Sequence, residues 1–112
     1  MSRPAISRRL RRLSPIAVAG VDAVRARGAP ARLLGLAHLD ADAALPLLIP
    51  RCSSVHTFGM RFDLDLYWLD ENGGVIQVRR SVPPRRLVNC RGAAAVLEVP
   101  VAKGGEISPP GP

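Results

Sequence analysis

Between Phe62 and Leu69 the side chains alternate, with Phe62, Leu64, Leu66 and Trp68 on one face and Asp63, Asp65, Tyr67 and Leu69 on the other. A period of two marks a β-strand, because successive Cβ atoms leave opposite sides of the backbone. Asp70-Glu-Asn-Gly-Gly74 follows, and Asn-Gly-Gly supplies residues that accept the positive φ of a tight hairpin. Val75-Ile-Gln-Val78 is then the return strand. Upstream, Leu47-Leu-Ile49 is a short apolar run stopped by Pro50, as expected of a buried strand. Arg51 to Met60 turns polar and reads as a loop rich in donors and acceptors. The stretch from Leu47 to Val78 is the centre around which the remaining elements are arranged.

Downstream, Val82-Pro83-Pro84 is extended, since proline disfavours helix in the residue before it. Leu87 to Asn89 predicts a strand and Arg91-Gly92 a turn. Ala93-Ala-Ala favours helix by propensity, but Val-Leu-Glu-Val bounded by Gly92 and Pro100 predicts a strand from Ala95, with Val96 and Glu98 opposite Ala95, Leu97 and Val99. Toward the amino terminus, Ile16 to Ala26 predicts an extended segment kinked at Gly20. Arg27-Gly-Ala-Pro30 is a turn, and Ala31 to Leu36 forms one further turn that drops Leu33, Leu34 and Leu36 onto the core. Asp40 is placed to cap a short helical turn through Ala44, ended by Pro46. Short strands without long helices predict an all-β fold, a small jelly-roll-like sandwich or barrel with one or two short helical turns.

Composition narrows this picture. The 112 residues are one domain's worth, and the 4% aromatic content leaves Leu, Val, Ala and Ile to build the core. Eleven prolines and ten glycines exclude long helices. The net charge of +7 is concentrated at one end: residues 1–12 hold five arginines and no acid, so the remainder is nearly neutral. We therefore expect a basic disordered arm over residues 1–15, a single β domain over 16–102, and a Pro/Gly-rich tail over 103–112. Such an arm is either a solvated segment or a contact for polyanions and anionic membrane surfaces. Without interleaved aromatics, nucleic-acid binding is expected to be at most non-specific.

No run approaches the roughly 20 apolar residues of a transmembrane helix. Residues 3–21 have the outline of a signal peptide, but Arg11, Arg12 and Pro15 interrupt its apolar part. A cytoplasmic location is expected, with export or membrane association through residues 1–26 as the alternative.

Several ordered pieces resemble the DUF192 family of bacteria and archaea: Arg32-Leu-Leu-Gly-Leu36, Leu47-Leu-Ile49, His56-Thr-Phe-Gly-Met60, Leu64-Asp65 with Leu66 to Asp70, Gly74-Val75, and Ala95-Val-Leu-Glu98. Together they span about residues 20–100. The resemblance implies a compact, jelly-roll-like β domain and no particular activity. Family members usually continue past the Val-Leu-Glu strand into a final strand bearing Gly-Asp. Residues 100–112 depart from that pattern, and an uncovered sheet edge is a template for self-association.

The candidate chemistry lies in Cys52, His56, Met60 and Asp65. Cys52 and His56 are spaced C-x3-H, and with Cys90 and His38 they would suit zinc, but paired C-x-x-C knuckles are absent. Cys52 and Cys90 are otherwise two reduced thiols or one disulfide. His56 with Asp65 is the one constellation resembling acid-base machinery, with Cys52 as a nucleophile. The plainer reading has Asp65 accepting backbone hydrogen bonds from the Ser53 to Met60 loop. Met60, Phe58 and Trp68 either line an apolar pocket or are simply core. No cofactor motif is present. These residues point to a non-enzymatic module that binds a small ligand or a protein partner through residues 52–60 and Asp65, with a Cys/His/Asp- or metal-dependent enzyme as the alternative.

Overall fold

The computed structural model of the chain describes residues 8–27, 35–40 and 44–101. The elements in chain order are α1 (Arg8–Arg11), β1 (Ser14–Val18), β2 (Val21–Arg25), β3 (Leu47–Pro50), β4 (Ser54–His56), β5 (Leu64–Leu69), β6 (Val75–Val82), β7 (Leu87–Asn89) and β8 (Ala95–Pro100). The fold is mostly β, as expected. Six strands form a mixed sheet in the order β1-β2-β3-β8-β5-β6, and β4 and β7 form a separate antiparallel ribbon. Within the large sheet β2 and β3 run parallel and the other neighbours antiparallel.

Both faces of the large sheet are packed. One face carries Leu47, Ile49, Leu64, Leu66, Trp68 and Val96, roofed by Val55 and Val88 of the ribbon and joined by Leu36 and Met60. The other face is lined by Ala23, Leu48, Tyr67, Leu69, Leu97 and Val99, with Ile16 of β1 and Val75 of β6 against them. Hence every residue of Leu64-Asp-Leu-Tyr-Trp-Leu69 is buried, although the two faces still alternate.

The β5–β6 hairpin forms where the pattern places it. Asp70 Oδ1 accepts hydrogen bonds from the Asn72 and Gly74 N–H groups at 2.8 Å each, and the Asp70 N–H donates to the Gly74 carbonyl at 2.8 Å. The return strand runs to Val82 rather than Val78, because a bulge lets it continue: Leu64 pairs with Val82 but Leu66 with Arg79. Two steps on β5 thus span three on β6.

Three sequence expectations need correction. The segment kinked at Gly20 is a complete reversal, with Val18 paired to Val21. Ala19 and Gly20 adopt φ of 52° and 77°, the pair of left-handed residues that a two-residue hairpin turn of type I′ requires. Residues 8–15, expected to belong to the basic disordered arm, are ordered: Arg8–Arg11 form a helical turn that buries Leu10 to 1% exposure and β1 begins at Ser14. The polar loop contains a strand, β4, whose Val55 supplies the apolar anchor. The turn expected at 28–30, Leu33 and Leu34, the helical turn after Asp40 and the tail over 103–112 lie outside the described residues. Among the described residues no helix is long and apolar enough to cross a membrane. The sheet's edge strands are β1 and β6, while β8 is interior.

Candidate functional site

The ribbon and the turn that follows it carry most of the predicted site. Ser54 pairs with Asn89, Val55 with Val88 and His56 with Leu87. Alternation sends Val55 and Val88 into the core, so Ser54, His56, Leu87 and Asn89 share the outward face. There Ser54 Oγ donates to Asn89 Oδ1 at 2.6 Å, and the His56 ring lies 5.9 Å from that of Phe58, tilted by 39°. Phe58 is 55% exposed and Leu87 68%, so the face presents an apolar surface with exposed Arg85 and Arg86 immediately before Leu87.

This surface is held firmly from beneath. Thr57 is fully buried. Its hydroxyl donates to the Pro83 carbonyl at 2.7 Å and accepts from the Arg86 N–H at 2.8 Å, while its own N–H donates to the Arg86 carbonyl at 2.8 Å. The turn closes with the Met60 N–H on the Thr57 carbonyl at 3.2 Å, and Met60 packs inward. Gly59 adopts a φ of 81°, and the His38 N–H donates to its carbonyl at 2.7 Å. A Cβ on Gly59 would come within 2.9 Å of His38 Cε1, so the Gly35–Asp40 turn rests on this loop.

Among the four predicted residues, Cys52, His56 and Met60 belong to this region and Asp65 does not. Cys52 is half-buried and its thiol donates to the Ser54 carbonyl at 3.2 Å. Cys90 is buried and its thiol donates to Gln77 Oε1 at 3.3 Å, so the two cysteines are reduced rather than bridged. No three His, Cys, Asp or Glu side chains converge as metal ligands among the described residues. His56 Nδ1 is buried without a hydrogen-bond partner. Asp65 shares its strand face with Tyr67 and Leu69, on the side of the sheet away from the ribbon, so it does not meet His56.

Nor does Asp65 pin the Ser53 to Met60 loop. Its Oδ1 accepts from the Ser81 N–H at 2.8 Å, and Arg80 Nη1 lies 3.6 Å from Oδ2. Ser81 has a φ of 52° inside the β6 bulge, so the buried carboxylate holds a left-handed residue that the strand would otherwise not adopt. Arg80 also lies over the Tyr67 ring, 5.9 Å from its centroid.

Glu98 is the residue that sequence reasoning missed. It lies on the interior strand β8, opposite Leu47 on β3 and Leu66 on β5, and is 1% exposed. The Leu36 backbone N–H donates to its carboxyl, and Oε1 has no hydrogen-bond partner. Burial pushes its pKa up to about 8, against the smaller opposite effect of the Leu36 bond. Gly35 covers it so closely that a Cβ there would stand 2.7 Å from Oε1. The available signal was a lone acid inside an otherwise apolar strand.

A six-stranded sheet packed on both faces, roofed by a two-stranded ribbon and with an acid buried under a glycine turn, defines a small β domain of sandwich type. The chain belongs to the DUF192 family, described as Uncharacterized ACR, whose sequence profile matches residues 8–106. Two of the resembling pieces, ending in Gly35-Leu36 and in Glu98, meet at the buried acid. The fold is similar to that of a Sinorhizobium meliloti protein provisionally assigned as a transcription regulator. The TM-score is 0.63 at 18% identity, over 80% of this chain and 77% of that one. It is also similar to a protein of unknown function from Novosphingobium aromaticivorans, with a TM-score of 0.58 at 15% identity over 92% and 94% of the two chains. No curated protein sequence matches the chain.

Proposed function

We propose that the protein is a non-enzymatic binding module and that its docking surface is the outer face of the β4–β7 ribbon with the Thr57–Met60 turn. The observation that carries this reading is the exposure of Phe58 and Leu87 on backbone that Thr57 fixes through its hydroxyl and amide. A large apolar side chain held in place loses little entropy on binding, which is what an interface anchor needs. Arg85 and Arg86 beside it favour carboxylates, and cations at a rim steer acidic partners. The occupant is therefore a protein segment that presents an apolar side chain next to acidic residues. Asp65 supports the fold from the other side of the sheet and takes no part in contact.

The test is selection of peptides from a random display library on the full chain, with affinities of the enriched sequences measured by calorimetry. Enriched peptides should pair an aromatic or aliphatic residue with Asp or Glu. Their affinity should fall about tenfold or more for Phe58→Ala with Leu87→Ser, equivalent to losing one interface hot spot. Arg85→Ala with Arg86→Ala should weaken binding and flatten its salt dependence. Peptides that bind all variants equally overturn the proposal.

A further inference from the structure

Glu98 has no charged partner among the described residues around it. From β3 it meets Leu47, and from β5 Leu66; Val55 and Val88 close the same core from the ribbon, and Gly35, Leu36 and Ala37 face it from the turn. The titratable groups of these elements are engaged elsewhere: His38 is exposed with its ring against Gly59, His56 sits on the ribbon's outer face, and the Cys90 thiol in the same core donates to Gln77 Oε1. The ion pairs among the described residues, Arg61–Asp40 and Arg80–Asp65, do not include it. A further polar atom lies on its side of the sheet, the Trp68 indole N–H. That group is buried without an acceptor, one step diagonal to Glu98 across the β5–β8 pairing.

We infer that Glu98 is a proton-controlled latch: neutral, it holds the Gly35–Asp40 turn closed over the sheet, and ionised, it releases that turn to water. The geometry supplies both halves of the device. An ionised carboxylate here would have the Leu36 N–H and no counter-charge among the described residues, which the interior penalises heavily. Solvating it requires that one neighbour move. Leu47 and Leu66 are held by hydrogen-bonded strands on both sides of β8. The turn lies outside the sheet, and what holds it includes the Leu36 N–H, the 2.7 Å bond from the His38 N–H to Gly59 and the packing of Leu36. It is the cover that moves at least cost. Opening also separates His38 from the loop that presents Phe58, although the latch itself stands whether or not that surface binds a partner.

The sign of the pH dependence follows from burial. The folded carboxyl titrates near 8 and the opened one near its ordinary value of 4.5, so closure is fully favoured below 4.5 and weakens as pH rises toward 8. Between those limits the opening equilibrium grows about tenfold per pH unit. The experiment is amide hydrogen exchange on the full chain from pH 5 to 9, expressed as protection factors so that intrinsic exchange is removed. The Leu36 and His38 amides should lose protection about tenfold per unit and level off near pH 8, through an opening insensitive to low urea. Glu98→Gln should flatten that slope. Turn amides with pH-independent protection overturn the latch. So do turn amides whose urea dependence matches that of Val96 and Leu97 on β8, because the whole sheet then opens instead of the turn. If the Glu98→Gln variant does not fold, this comparison within the wild type decides alone.

Discussion

Replacing Gly35 by alanine separates two costs that usually arrive together. Gly35 has a φ of 52°, and its added Cβ would meet Glu98 Oε1 at 2.7 Å and Cδ at 3.5 Å. Gly20 has a φ of 77° with nothing within 4 Å of the same atom, so it carries the backbone cost alone. Holding an L-residue in the left-handed region costs about 1–2 kcal/mol. Gly35→Ala must in addition displace a carboxyl that is 1% exposed and wedged between Leu47 and Leu66, and overpacking of this kind adds about 1–3 kcal/mol. The expected losses are thus about 1 kcal/mol for Gly20→Ala and about 3 kcal/mol for Gly35→Ala. Urea titration followed by the fluorescence of Trp68, the one tryptophan and fully buried, measures both on a common scale. Adding Glu98→Ala removes the obstructing atoms, so the further cost of Gly35→Ala should then drop to that of Gly20→Ala. Equal losses at Gly20 and Gly35 in the wild-type background would refute the reasoning.

Three other perturbations probe the rest of the domain. Asp65→Ala should cost about 2–4 kcal/mol in the same urea titration, since it leaves the Ser81 N–H of a left-handed residue without its acceptor and Arg80 without its partner. Arg80→Ala should cost less than about 1 kcal/mol because that side chain is 45% exposed. With a chromogenic disulfide reagent, half-buried Cys52 should react before buried Cys90, and both thiols should react once the chain is unfolded; no reactive thiol under denaturing conditions would contradict the reduced pair.

Where the fold was legible in the sequence, a local rule was enough. Alternation from Leu64 and the Asp70-Glu-Asn-Gly-Gly74 turn determine the β5–β6 hairpin, and Pro100 ends the Val-Leu-Glu-Val strand where expected. The misreadings share a different cause, dependence on partners distant in the chain. Ala19 is no turn residue by composition, yet the pairing of β1 with β2 holds it at positive φ. Leu10 follows a run of arginines that masks its burial. The β6 bulge exists because Asp65, sixteen residues earlier, accepts the Ser81 N–H. Asp65 was visible as chemistry, but its face of the sheet depends on what covers each side, and both sides are covered. Glu98 was overlooked because the turn that encloses it comes from around Gly35, and no spacing rule links the two.

The position of β8 sets the order in which this molecule can be made. It inserts between β3 and β5, pairing with Leu47–Pro50 on one side and Leu64–Leu69 on the other. Among the described strands it is also the last to be synthesised. Until it emerges from the ribosome, β1-β2-β3 and β5-β6 are two fragments with no strand pairing between them, each showing an open edge and half of an apolar core. Long-range pairing of this kind slows folding and prolongs exposure of such edges. The nascent chain therefore passes through an aggregation-prone interval that ends only when Ala95–Pro100 slides in as the central strand.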